Sequence, residues 1–128
     1  MAELVELGSE WVLRCDADGP PIDSDRAAAD LIGDALSEGA IWVALPISRL
    51  TADFFQLRTG IAGMISQKFM NYRRKLAIVG DIAAQLAASN ALRDWVRECN
   101  RGHELWFVAS FEELAAKLGA ANSAPSGK

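Results

Sequence analysis

The sequence predicts an α/β protein, a single-domain sandwich in which helices pack on a mixed, mostly parallel sheet that begins with a hairpin. Short β-rich segments alternate with helical ones in the order ββαβαβαβα. Residues 41–45 and 75–79 are continuous apolar runs, which are typical of strands covered on both faces. Each intervening helix is long enough for a crossover connection, so the later strands are expected to be parallel.

The chain opens with the predicted hairpin. Residues 4–7 and 10–16 are β-rich and are separated by Gly8-Ser9. The Asp18-Gly19-Pro20-Pro21 cluster then predicts a loop, because proline cannot donate to a sheet ladder and glycine tolerates a tight turn. The hairpin therefore leads into an irregular connection before the first helix.

The first helix is expected between Ser24, which can cap its start, and Gly39, which can end it. Asp25, Asp30 and Asp34 fall on other faces than the apolar residues, so the helix is expected to lie on the sheet. The residues at buried spacing are Ala28, Leu31, Ile32, Ala35 and Leu36.

A second long helix is expected after the strand that Pro46 ends. One helical turn is predicted at residues 51–55, and the helix itself at residues 60–72. Its apolar residues recur at steps of three or four, which predicts one buried stripe. That stripe is Ile61, Met64, Ile65, Phe69 and Tyr72.

The last third of the chain repeats the alternation. Gly80-Asp81 forms a turn after strand 75–79, and residues 82–99 are helical with a break near Ser89-Asn90 and a buried stripe of Leu92, Trp95, Val96 and Cys99. A strand at 104–109 follows. The S-x-x-E motif from Ser110 to Glu113 predicts a capping box and a helix to Leu118. We expect one domain over residues 1–119 and a disordered tail over residues 120–128.

Composition limits the function classes. At 128 residues with 51% hydrophobic and 23% charged residues, the chain can bury a core as one domain. The formal net charge of −4 argues against general binding to nucleic acid or anionic membranes. The N-terminal segment lacks signal-peptide features, and Cys15 and Cys99 are far apart without a CxxC motif. We expect free thiols, a cytoplasmic location and no membrane span.

One face of the second long helix is unusually bare. Gly60, Gly63, Gln67, Asn71 and Arg74 recur at steps of three or four and therefore align. A glycine within a helix costs about 1 kcal/mol relative to alanine, so Gly63 needs a reason such as close approach by another backbone. A partner chain and another element of the same domain are equally compatible with the pattern.

The start of the same helix is a candidate anion site. Thr59-Gly60 precedes free backbone N–H groups, and Arg58 lies beside them. Simple capping by Thr59 is the favoured explanation of the pair, because the repeated glycines and lysine of a phosphate loop are missing. Lys68, Arg73, Arg74 and Lys75 form a basic cluster that is typical of a solvated helix end.

No residue pattern predicts a reaction. His103 is the sole histidine, so a metal site is not expected, and no serine lies in a nucleophile-elbow motif. Asp81 is a candidate carboxylate at the end of a strand. The tryptophans, Trp11, Trp42, Trp95 and Trp106, are expected in the core. We expect no catalytic residue, no metal and no cofactor.

Three segments carry a family resemblance. They are DGPPI from Asp18, DFFQLRTGIAGMISQKFMNYRRKLAIVGDI from Asp53, and ALRDWVRECNRG from Ala91. Together they resemble the bacterial family catalogued as domain of unknown function 4180. The resemblance implies a small bacterial protein and implies no activity.

More remotely, the order of elements resembles the STAS or SpoIIAA-like group of anti-sigma-factor antagonists. In that group a Ser/Thr-Gly at the start of the second long helix is phosphorylated and contacts a partner. Thr59-Gly60 occupies the matching place, although Leu57-Arg58 stands where that group has an aspartate. The resemblance implies the fold more than it implies a regulatory switch at Thr59.

Two functions follow as expectations. The first is a non-enzymatic regulatory or protein-interaction domain that contacts a protein partner, or a second copy in a homodimer, through residues 57–75. The second is a protein that binds an anionic small molecule or nucleotide, and could be an enzyme, with Arg58, Thr59, Gln67, Asn71 and Asp81 around the ligand. A deep pocket beside Arg58 would favour the second function, and an open face at Gly60 and Gly63 would favour the first.

Overall fold

A computed structural model describes residues 2–123. A five-stranded sheet runs in the order β1-β2-β3-β4-β5, with β1 and β2 antiparallel and the later neighbours parallel. The strands are β1 Glu3–Leu7, β2 Glu10–Arg14, β3 Trp42–Pro46, β4 Lys75–Val79 and β5 Leu105–Val108. The predicted hairpin and the mostly parallel sheet are confirmed.

Within residues 2–123, five α-helices connect or follow these strands. They are α1 Asp25–Glu38, α2 Ile61–Asn71, α3 Ala83–Ala88, α4 Asn90–Arg101 and α5 Phe111–Ser123. Three short 3-10 turns, Ile47–Arg49, Ala52–Phe55 and Leu57–Thr59, link β3 to α2. The predicted break near Ser89 is confirmed, since the Ser89 hydroxyl accepts the Leu92 N–H at 3.1 Å and caps α4.

The sheet is covered on both faces. On one face α1, α2 and α4 pack on alternate strand residues such as Val43 and Ile78. On the other face α5 places Leu114 and Leu118 against Trp42 and the strand residues beside it. Two-sided burial explains why β3 and β4 read as unbroken apolar runs.

The predicted helix boundaries are largely confirmed. The Ser24 hydroxyl accepts the Ala27 N–H at 3.1 Å, and Gly39 ends α1 at φ 76°. The Glu113 N–H donates to the Ser110 hydroxyl, while the Glu113 carboxylate accepts from Ala109. Helix α5 continues to Ser123, beyond the end predicted at Leu118. Of the predicted tail, residues 124–128 lie outside the described part of the chain.

Three burial predictions are wrong. Trp11 is 44% exposed and precedes the part of β2, from Val12 to Arg14, that pairs with β3. Leu36 in the last turn of α1 is 45% exposed. Tyr72 is 50% exposed, because it follows the last residue of α2 and leaves the helical geometry that its spacing assumes. Ile65 and Phe69 do form the buried stripe of α2, together with Ala62, and Ile61 and Met64 pack partly buried beside them.

A tight glycine turn shapes the carboxyl edge of the sheet. Gly80 follows β4 at φ 147°, and a Cβ on it would lie 2.6 Å from Cγ1 of Ile47. The segment after β3 therefore packs directly on the turn after β4. Arg49 extends this packing, since its guanidinium donates to the Asp16 carbonyl at 3.1 Å and the Pro20 carbonyl at 2.7 Å.

Candidate functional site

A cleft lies between the segment that follows β3 and the segment that follows β4. Its volume is about 710 Å³, within the range of small-molecule sites. Parallel strands end at this edge of the sheet, where ligands of α/β proteins usually bind. The strand order runs without a reversal, so the cleft is formed by the two connections alone. Its lining residues are Ala52, Phe55, Gln56, Leu57, Arg58, Ala84, Gln85, Ala88, Ser89 and Ala91.

One wall of the cleft is the loop between β3 and α2. Phe54 anchors this wall because it is 1% exposed and packs edge-on against Phe55 at a ring distance of 5.1 Å. The Thr59 hydroxyl lies 2.7 Å from the Asp53 carbonyl and 2.8 Å from the Gln56 carbonyl, so its one proton is directed into the loop. Thr59 thereby holds the wall in shape.

The opposite wall is α3 and the start of α4. The Asp81 carboxylate accepts the Ala83 N–H at 2.9 Å, which caps α3. The Arg93 guanidinium donates to the Leu86 carbonyl at 2.9 Å, near the end of α3. Because both ends of this short helix are bonded, its cleft-facing alanines are held in place.

Arg58 is the one charged residue of the cleft lining. Its guanidinium donates to the Gln56 side-chain carbonyl at 3.2 Å and makes no ion pair with any described residue. Because no carboxylate lines the cleft, nothing there neutralises this charge. Arg58 can therefore offer its remaining N–H groups to an anion.

Thr59 caps α2 from one position before Gly60, which occupies the N-cap. The helix is preceded by Gly60 in the left-handed conformation at φ 80°, with no side-chain cap bond from this residue. The Thr59 hydroxyl instead accepts the Ile61 N–H at 3.3 Å while it donates to the loop. Its contacts are therefore those of a structural hydroxyl.

The outer face of α2, defined as Gly60, Gly63, Gln67 and Asn71, is exposed to solvent. A Cβ on Gly63 would have no heavy atom within 4 Å outside its own helix backbone. Gln67 donates to Asn71 at 2.9 Å, so the two amides form a pair along the face. No other described element of the chain packs on Gly63, so intramolecular packing does not explain this glycine.

Arg74 does not extend the outer face of α2. It is half-buried, and its guanidinium donates to the Ala40 carbonyl at 3.0 Å and the Tyr72 carbonyl at 3.3 Å. In the rest of the predicted basic cluster, Lys68 pairs with Asp25 at 3.0 Å and Lys75 lies over the Trp42 ring at 5.7 Å. Most of these charged side chains therefore interact with other residues of the same chain.

The thiols are not poised for nucleophilic chemistry. Burial raises the pKa of Cys15 to about 11, and burial together with the Glu98 charge raises the pKa of Cys99 to about 11. Both are free thiols and are protonated near neutral pH. Within residues 2–123, no cluster of three or more histidine, cysteine or acidic side chains could hold a metal ion. No helix in that range has the length and apolar character of a membrane span.

The predicted site residues therefore divide into separate places. Arg58 lines the cleft, Thr59 and Asp81 fix its two walls, and the other predicted residues lie on α2, just before it or just after it. The alanines of α3 and α4 were missed by the sequence reasoning. Their signal was a helical segment, AAQLAAS from Ala83, with a single large apolar residue. Asn100 was missed as well, although its side chain accepts the Phe107 N–H of the edge strand β5 at 2.7 Å.

A family model described as a domain of unknown function, DUF4180, matches residues 8–118. The chain belongs to this family. The match covers every strand but β1, together with the cleft and the outer face of α2. Among curated proteins and among solved structures, nothing matched the chain. DUF4180 membership accounts for the three quoted segments, and the geometry of the cleft and of α2 carries the functional argument.

Proposed function

We propose that this DUF4180 protein is a non-enzymatic regulatory domain of the bacterial cytoplasm that contacts a protein partner through residues 57–75. The observation that carries the proposal is the open outer face of α2. The two free cysteines support a reducing compartment. The resemblance of the three quoted segments supports a bacterial source.

The outer face of α2 has the shape of a contact surface. Gly63 lies in the middle of the helix, where glycine costs about 1 kcal/mol relative to alanine. The space above it is empty, so nothing within the described chain compensates for that cost. A partner whose backbone approaches this point closely would supply the compensation. The contact would also bury Met70, which is now 47% exposed.

The charge of this face favours a second copy of the chain as the partner. Its side chains are uncharged, and the neighbouring Lys68 is already paired with Asp25. A two-fold contact places identical side chains against each other, so a charged face would repel itself, whereas the amides of Gln67 and Asn71 can both donate and accept. Interface cores are also depleted in charge and enriched in methionine.

Analytical ultracentrifugation over a range of protein concentrations tests this proposal. We expect a dimer that Gly63→Arg abolishes, because the arginine would fill the space that the partner backbone needs. Gly33→Arg is the matched control, since Gly33 lies within α1 and also has no heavy atom within 4 Å of its Cβ position. A dimer that persists in Gly63→Arg would contradict the proposal.

A chain that stays monomeric would exclude the second copy as the partner. Affinity capture from the native host, with Gly63→Arg as the negative control, would then test for a different protein. Capture of the same proteins by both variants would overturn the role of this face.

A second candidate function is the binding of a small anionic molecule. The observation that favours it is the cleft beside Arg58, where an unneutralised guanidinium meets about 710 Å³ of space. Of the residues that the sequence predicted around the ligand, this proposal keeps Arg58 alone. Titration with inorganic phosphate, followed by NMR, tests whether the Arg58, Thr59 and Gly60 amides respond to an anion.

A further inference from the structure

We infer that the cleft binds a small organic carboxylate whose body is apolar. The inference rests on the second candidate function and names its ligand class. Three properties of the cleft carry it: mostly apolar walls, one unneutralised cation, and walls that are hydrogen-bonded before any ligand arrives.

The walls select an apolar body. Phe55 and Leu57 face the cleft from the loop, and Ala84 and Ala88 face it from α3. These four side chains cannot hydrogen-bond a sugar or a nucleobase. Of the polar side chains in the lining, Gln56 is already bonded to Arg58 and Ser89 to the Leu92 N–H, whereas Gln85 is a third. Alanine leaves the volume of about 710 Å³ open. Burial of an apolar ligand surface against them would supply most of the affinity.

The single charge of Arg58 determines which head group of the ligand fits the cleft. Arg58 has N–H groups to spare, because its described side-chain hydrogen bond goes to Gln56 alone. A guanidinium binds a carboxylate through two parallel hydrogen bonds, which gives orientation as well as affinity. One arginine without a lysine or a glycine-rich loop is a poor match for a polyphosphate, so a singly charged carboxylate fits the charge better.

The net charge of the protein makes the binding of an anion depend more strongly on Arg58. At a formal net charge of −4 the chain repels small anions at long range, so an anion must be captured by a local contact. The absence of any acidic residue from the cleft lining leaves that contact unopposed. Removal of Arg58 should therefore weaken the binding of a carboxylate and spare a neutral ligand of the same shape.

The two walls are already held in the unliganded chain. Thr59 ties the loop wall through the Asp53 and Gln56 carbonyls, and Asp81 caps the opposite helix. A ligand that enters such a cleft loses its own freedom but does not have to order the protein, which favours affinity.

The test is an NMR titration of the labelled full-length chain with 1-naphthylacetate and, in parallel, with its neutral analogue 1-naphthylacetamide. We expect amide shifts confined to the cleft and a dissociation constant for the carboxylate of about 1 mM or lower. Arg58→Gln should weaken the carboxylate about tenfold and leave the amide analogue unchanged. Arg26→Gln, an exposed arginine on α1, is the matched control and should change neither.

A second variant tests the apolar wall. Ala88 is an exposed residue of α3, so Ala88→Leu should keep the fold, narrow the cleft and weaken both naphthyl compounds. Binding that survives Ala88→Leu, or equal binding of the two compounds, would overturn the inference. So would the absence of shifts at about 10 mM carboxylate, since even weak ligands saturate a site near that concentration.

Two further measurements distinguish a failure of this inference from a failure of the proposed functions. Inorganic phosphate that shifts Arg58 as strongly as the naphthyl carboxylate would keep the anion site and refute the apolar body. Gly63→Arg should bind the carboxylate normally, because Gly63 does not line the cleft. A failure of the cleft is thereby distinguished from a failure of the contact through α2.

Discussion

Replacement of Gly63 by alanine should raise the stability of the monomer. Gly63 lies within α2, and a Cβ added there would have no heavy atom within 4 Å beyond the local helix backbone. The substitution therefore adds a methyl group to empty space. It also removes backbone freedom from the unfolded chain, which favours the folded state.

The size of the gain follows from helix propensity. Alanine is favoured over glycine by about 1 kcal/mol in a helix interior. Because no clash subtracts from this value, most of it should appear in the free energy of unfolding. For a domain of this size, about 1 kcal/mol corresponds to a rise in Tm of about 4 °C.

The assay is thermal and urea unfolding followed by circular dichroism, at a protein concentration low enough to keep the chain monomeric. Low concentration matters because a dimer contact would add a concentration-dependent term to the apparent stability. Gly33→Ala should give a similar gain, since that position in α1 is equally open.

Gly80→Ala should give the opposite result. The backbone there has φ 147°, and the new Cβ would lie 2.6 Å from Cγ1 of Ile47, so we expect a loss of about 1–3 kcal/mol. A fall in stability for Gly63→Ala comparable to that of Gly80→Ala would refute the reasoning, because it would mean that α2 is packed against something at Gly63 within the monomer.

Three further predictions concern the core, the sheet edge and a thiol. Ile65→Ala should cost about 2–5 kcal/mol because Ile65 is fully buried, whereas Met70→Ala, at a site 47% exposed, should cost less than about 1 kcal/mol in urea unfolding. Asn100→Ala should cost about 1–3 kcal/mol and promote aggregation, because it leaves the buried Phe107 N–H without its acceptor. The pKa of Cys15 is about 11 in the folded chain, against an ordinary value of 9.0. Its contribution to the free energy of unfolding is therefore complete below pH 9, and roughly 2–3 kcal/mol is lost between pH 9 and 11. Cys15→Ala should remove that part of the pH dependence.

For each of these three predictions, a control variant or a contrary result would show whether the reasoning is wrong. A loss below 1 kcal/mol for Ile65→Ala would contradict its burial. Asn100→Asp keeps an oxygen acceptor for the Phe107 N–H, so it should be far milder than Asn100→Ala, and equal damage from both would show that the hydrogen bond is unimportant. If wild type and Cys15→Ala lose stability equally between pH 9 and 11, the thiol does not carry the effect.

The architecture could be predicted because it depends on local patterns. The apolar runs at β3 and β4, the Ser24 cap and the Gly39 stop each express a preference that a few neighbouring residues decide. Parallel pairing followed from connection length alone. Errors arose at the margins of elements. Tyr72 keeps the helical spacing but follows the last residue of α2, and Trp11 keeps the strand pattern but precedes the part of β2 that pairs with β3.

The two candidate sites also differ in how far the sequence could predict them. The outer face of α2 was visible in advance, since residues at steps of three or four must align on any helix. The emptiness above Gly63 and the cleft beside Arg58 were not. The cleft joins residues about thirty positions apart in the chain, and one of its walls is rich in alanines whose small size matters only once the two segments face each other. Local sequence thus decides the elements and their faces, whereas open space between segments depends on their packing together.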